Sequence, residues 1–178
     1  LTKTIIYDQR HSVLAARARA DFYAAELGGE KIIVHSYGKL SGDASEMNER
    51  AIYAGRGKQH LDFFYHIDHV GKKTKAEIDL KGALADESKK IFRGTLDFKR
   101  GCAGSVGDEG DFAIQLDPKT KNISLPLLLC TEDDVQGNHA SSAGQLDQNT
   151  IYFLMSRGFT LEEARRIVVE ALIRPIID

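Results

Sequence analysis

Cysteine, proline and net charge are all scarce in this chain of 178 residues, and each scarcity excludes something. Two cysteines, Cys102 and Cys130, are too few for a disulfide framework and do not stand at a zinc-ligand spacing. Three prolines and 16 glycines beside 42% hydrophobic residues do not make a disordered or collagen-like composition. Twenty-four basic residues against 26 acidic ones leave a net charge of −2, which argues against a general binder of nucleic acid or anionic membranes. No apolar run is long enough to span a bilayer, and the N-terminus lacks the charged-then-apolar pattern of a secretory signal, so a cytoplasmic location is expected. The chain opens on Leu1 rather than Met, so a processed chain or a portion of a longer one is expected. A chain of this size buries roughly 70% of its unfolded surface and needs no metal or disulfide to fold.

What is present is alternation. From about Ser12 to Leu129 apolar residues recur with period two, the mark of strands with one buried face. Leu14, Ala16, Ala18 and Ala20 form one such row; Phe92, Leu96 and Phe98 form another, and Ile123, Leu125, Leu127 and Leu129 a third. Short glycine-bearing punctuators such as Gly28-Gly29, Gly55-Arg56-Gly57 and Gly71 separate them, so the body reads as all-β. In Gly101–Gly110 glycine falls at every third position, which suits the corner of a stacked solenoid. Its GxxGxxG spacing is not a dinucleotide fingerprint, and Gly71-Lys72-Lys73-Thr74 is not a phosphate-binding loop.

After Gly144 the period becomes helical. Asp147 caps a first helix carrying Ile151, Leu154 and Met155, and Gly158 ends it; Thr160 and Glu163 form a capping box for a second, whose apolar stripe runs from Leu161 to Leu172 and stops at Pro175. The balanced charge of this hairpin disfavours DNA binding.

Two clusters could carry chemistry. Alternation over His60–His69 puts His60, Asp62, Phe64, His66 and Asp68 on one face and Leu61, Phe63, Tyr65 and Ile67 on the core face. A metal-dependent hydrolase would use His66, Asp68 and His69 as part of an HxHxDH motif, although Phe64 stands where its first His belongs. The second cluster is Glu132-Asp133-Asp134 followed by His139, which reads as a polar turn able to ligate a metal or serve as a hydrogen-bonded loop histidine. Cys102, among glycines, is expected to be exposed, and Cys130, ending an apolar strand, to be buried.

Asp133-Asp134-Val135, Asn138-His139-Ala140, Gly144-Gln145-Leu146-Asp147, Tyr152–Gly158 and Glu162-Glu163-Ala164 together resemble the C-terminal signature of the SufB/SufD family, components of the Suf iron-sulfur cluster assembly scaffold. Upstream, Tyr53-Ala54-Gly55, Gln59–Asp62, Asp68-His69, Lys81–Leu84 and Phe92-Arg93-Gly94 extend the resemblance over most of the chain. It implies a right-handed parallel β-helix (β-solenoid) over residues 1–145 with a C-terminal α-helical hairpin over 146–178. It also implies a non-catalytic scaffold subunit that pairs through its β-helix with a SufB-like paralogue or with itself as a homodimer. A SufC-like ABC ATPase would dock on the helices, with Tyr152, Met155, Arg157 and Arg165 as candidate contacts, and His139 would bind a transient iron-sulfur cluster or its metal at the subunit interface. Ala140 after the histidine and the lack of cysteine over Gly110–Phe112 look more like the SufD branch than a SufB-like self-pairing scaffold. A protein-binding solenoid without cluster chemistry is a further alternative.

Overall fold

The computed structural model describes residues 4–177, a flattened parallel β-solenoid followed by two helices. Each coil gives one strand to each of two five-stranded sheets. The first sheet, in order, is β1 (Ile5–Leu14), β3 (Lys31–Leu40), β5 (His60–His69), β7 (Lys89–Phe98) and β9 (Lys121–Cys130). The second runs β10 (Val135–Gln145), β8 (Ser105–Gln115), β6 (Lys75–Leu84), β4 (Glu46–Gly55) and β2 (Arg19–Glu26). All described pairs are parallel, so like positions of successive coils stack in columns.

The inward columns explain the alternation. Ile32 stacks on Leu61, Val34 on Phe63 and Phe92, and Leu40 on His69 and Phe98; all are buried. Leu61, Phe63, Tyr65 and Ile67 face the core as their spacing predicts. Each such side chain contributes roughly 1.5–3 kcal/mol by leaving water, and the summed columns hold the sheets together.

Two expected rows and the reading of the glycine run are corrected, while Phe92, Leu96 and Phe98 face the core as expected. Leu14 to Ala20 is not one strand: β1 ends at Leu14 and β2 begins at Arg19, with a corner between them that turns at Arg17, φ 59°. Equivalent corners turn at Ala44, Lys73 and Gly104, each with positive φ, and their N–H groups donate to the next coil's carbonyls, Ala44 to Lys72 at 2.8 Å and Lys73 to Ala103 at 2.9 Å. Glycine punctuation therefore marked only some corners. Ile123, Leu125, Leu127 and Leu129 point outward and are exposed, because pairing of Lys90 with Asn122 and Phe92 with Ser124 commits the even-numbered residues of β9 to the interior. Of the glycine run, Gly101 and Gly104 form the corner, but Gly107 and Gly110 lie within β8.

Close approach of coils is where glycine is required. A Cβ on Gly71 would fall inside the peptide of Gly42, one coil away. Gly71→Ala should therefore cost about 2–3 kcal/mol, whereas Gly144→Ala, facing open space, should change stability by less than about 0.5 kcal/mol. Denaturant midpoints compare the two; equal midpoints would refute the corner packing.

The helices form as their caps predict. Asp147 accepts from Asn149 and Thr150 N–H at 3.2 and 3.0 Å and starts α1 (Gln148–Ser156). Gly158, φ 97°, ends it, and the reciprocal Thr160–Glu163 box starts α2 (Leu161–Ile177). Contrary to expectation, α2 runs through Pro175, which sits in its last turn and removes only one backbone donor. The helix lies on β4 and β6, with Ala164, Ile151 and Leu146 forming a small second core against Ile114 and Leu116.

Candidate functional site

The C-terminal end of the solenoid gathers the unusual chemistry. His139 is not in a turn but within β10, where register places it on Glu109 of β8, in the same inward column as Ile78 and Glu49. Its polar neighbourhood reads as a turn because the last coil has no further coil to bury its inner face. His139 and Ser141 are consequently exposed, while Glu109 and Asp111 beneath them are buried.

Glu109 is buried with Asp111 nearby, and burial first, then that neighbouring charge, push its carboxyl up to about 7. Its carboxylate fills the space that a Cβ on Gly94 would take. Asp111 receives the Lys90 ammonium, which also donates to the Tyr53 hydroxyl at 3.0 Å; Lys90 and Asp111 side chains are 0% and 1% exposed. Burial draws the Lys90 ammonium below its usual range, and Asp111 opposes that shift. Nothing in the isolated sequence signals this pair, because Lys89-Lys90 reads as two surface lysines.

The carboxylates Glu132, Asp133 and Asp134 belong instead to the preceding corner, where Glu132 accepts from Gly101 and Asp133 N–H at 2.8 and 3.1 Å. The two cysteines exchange their expected roles: Cys102 is buried in the corner and Cys130 is exposed at the end of β9. Cys102 closes a turn onto the core, whereas Cys130 continues the Leu40–His69–Phe98 column to the open coil end.

The cluster over His60–His69 is split by the strand it lies on. His66 and Asp68 face outward, with His66 Nε2 2.9 Å from Asp68 Oδ1, and Asp97 completes a group whose ligand atoms lie within 4.8 Å. His69 points the other way, stacked on Phe98 with ring centres 4.3 Å apart, and burial lowers its pKa to about 4. The HxHxDH arrangement is therefore not assembled. The ammonium of Lys99 already bridges Asp97 and Asp68, and the Tyr37 hydroxyl donates to Asp68.

On the helices Tyr152, Phe153 and Met155 are exposed, and the Arg157 guanidinium lies 5.0 Å over the Phe153 ring. Arg165 faces the solenoid, donating to the Leu116 carbonyl at 3.3 Å with Asp117 3.6 Å away. No described helix is long and apolar enough to cross a membrane.

Residues 2–172 match the family described as SUF system FeS cluster assembly, SufBD core domain. The iron-sulfur cluster assembly protein SufD of Bacillus subtilis is 32% identical over 139 residues, covering 78% of this chain and 32% of that protein. SufB of the same organism is 23% identical over 167 residues, 93% of this chain and 36% of its own length. A SufBD family iron-sulfur cluster assembly protein of Mycobacterium leprae is 26% identical over 176 residues, 94% of this chain and 45% of that protein. The chain thus spans less than half the length of these relatives. With a parallel solenoid and helical hairpin matching what its motifs imply, the chain belongs to the SufBD family of iron-sulfur cluster assembly proteins.

Proposed function

We propose that this chain is the SufD-like, non-catalytic part of a cytoplasmic iron-sulfur assembly scaffold, and that its open coil end is the pairing and cluster-building surface. The observation that carries this reading is the coincidence of three features at one end. The strands β9 and β10 are the last of their sheets, the outer face of β9 carries the exposed row Ile123 to Leu129, and His139 is exposed on β10. Free parallel edges and a contiguous apolar row are stabilised by strand addition, so a SufB-like paralogue or a second copy of this chain is the fitting partner. A cluster held transiently there takes His139 as its nitrogen ligand.

The second surface is α1. Its exposed Tyr152 and Met155, with Arg157 beside them, offer an apolar and cationic contact for a SufC-like ABC ATPase, while Arg165 fixes the helix pair to the solenoid. The ATPase supplies the chemistry of hydrolysis, and this chain supplies the site that moves.

The test uses the intact protein with its partners. His139→Ala should leave the thermal midpoint, pairing and ATPase binding unchanged while the iron and sulfide reconstituted on the complex fall to a small fraction. A histidine that only supports the fold would instead cost about 1 kcal/mol and leave cluster content per folded complex intact. In parallel, Tyr152→Asp should release the ATPase without altering pairing; retention of both would refute the assignment of the helix.

A further inference from the structure

In the earlier coils the inward carboxylates find partners inside the chain, although the Tyr65 hydroxyl and His69 Nε2 do not. Glu49 is the clearest case: Ser36 donates to one oxygen and Arg10 to the other at 2.9 Å. Glu109 stands in the same inward column two coils later and is 4% exposed, yet neither of its oxygens has a hydrogen-bond partner among the described residues. The deficit extends around it. Asp111 Oδ2, Asn122 Oδ1 and Ser124 Oγ are also shielded from solvent and unpartnered. Four side chains from β8 and β9 thus bring acceptor oxygens to one part of the interior with a single cation, Lys90, which is engaged by Asp111 Oδ1 and Tyr53.

Burying an unpartnered acceptor is costly, and burying several on adjacent strands is a standing demand for a positive ligand. These oxygens, on the inward faces of β8 and β9, are each shielded from solvent, so the ligand that fits them is a small ion rather than a long basic side chain from a pairing chain.

We infer that Glu109, with Asp111 beside it and Ser124 and Asn122 opposite, forms a divalent-cation site inside the last coil, roofed by His139. Carboxylate, hydroxyl and amide oxygens suit a hard divalent ion rather than a soft monovalent one. The inference deepens the proposed function, on which its choice of iron rests: the carboxylate holds the incoming ion one coil below the histidine, before sulfide is present. Glu109 is thereby a positioning residue for the cargo metal.

The probe is cobalt(II) alone, added anaerobically to the intact protein and followed by equilibrium dialysis and visible absorption. Wild-type protein should bind one equivalent and melt at a higher temperature with cobalt than without. Glu109→Gln should weaken binding by at least tenfold and abolish the cobalt-induced shift, while its metal-free melting temperature stays at or above wild type. Ser124→Leu, which leaves Glu109 in place but fills the space opposite, should show the same loss of binding and serves if Glu109→Gln fails to fold. Wild-type affinity in either folded variant, or no stoichiometric binding by wild type, overturns the site. If cobalt binding fails while cluster content still depends on His139, the proposed function stands and this inference falls. If binding depends on Glu109 while His139→Ala complexes build full clusters, the inference stands and the histidine assignment falls.

Discussion

Ile67→Asp should destabilise the solenoid by about 5 kcal/mol, enough to abolish a cooperative unfolding transition or make the protein insoluble. Ile67 lies in the central strand of its sheet, is 1% exposed, and stacks between Gly38 and Leu96 with no cation in its column. A carboxylate there has no partner and no route to water. Leu61 is a poorer test, because Lys90 stands on it one coil along and could capture the new charge. Ile67→Val, which keeps the inward surface apolar, should cost only about 1 kcal/mol. Guanidinium unfolding of the two variants measures the difference, and an unshifted midpoint for the aspartate variant would mean that β5 faces the other way.

The inward orientation of β5 was legible because strand period is a local property: Leu61, Phe63, Tyr65 and Ile67 leave only one face that can be buried. The helix caps were legible for the same reason, since Asp147, Gly158 and the Thr160–Glu163 box act within one turn. Stacking is not local. Which face of β9 is buried depends on its register with β7, and the apolar residues Ile123 to Leu129 lost that contest to Asn122, Ser124, Pro126 and Leu128. The corners at Arg17, Ala44, Lys73 and Asp86 take positive φ without glycine because inter-coil hydrogen bonds hold them, which no single-residue preference reveals. The motif around His139 singles it out in the sequence, but its place above Glu109 follows only from the pairing of β10 with β8. Glu109 and Lys90 carry no signal in the sequence, because a charged residue in a polar stretch looks solvated until a coil is laid over it.

Lys90→Met is expected to lower stability by roughly 4 kcal/mol, although the methionine fits the apolar column better than the ammonium does. The loss comes from what remains. Asp111, 1% exposed, would keep its charge with no counterion, and the Tyr53 hydroxyl would lose its donor. The double variant Lys90→Met with Asp111→Leu removes both charges and should return to within about 1.5 kcal/mol of wild type, since isolated desolvation costs vanish together. A solenoid unfolds by coils, so the measurement is a denaturant series read by hydrogen exchange on β7 and β8 rather than by a single global signal. If Lys90→Met alone matches wild type, the ammonium does not neutralise the interior. If the double variant recovers stability yet loses cobalt binding, the pair is there for the charge balance of the interior: Asp111 accepts from Lys90 at one oxygen and keeps the other, beside Glu109, for an ion. That outcome would explain why β7 and β8 spend two buried charges where leucines would pack.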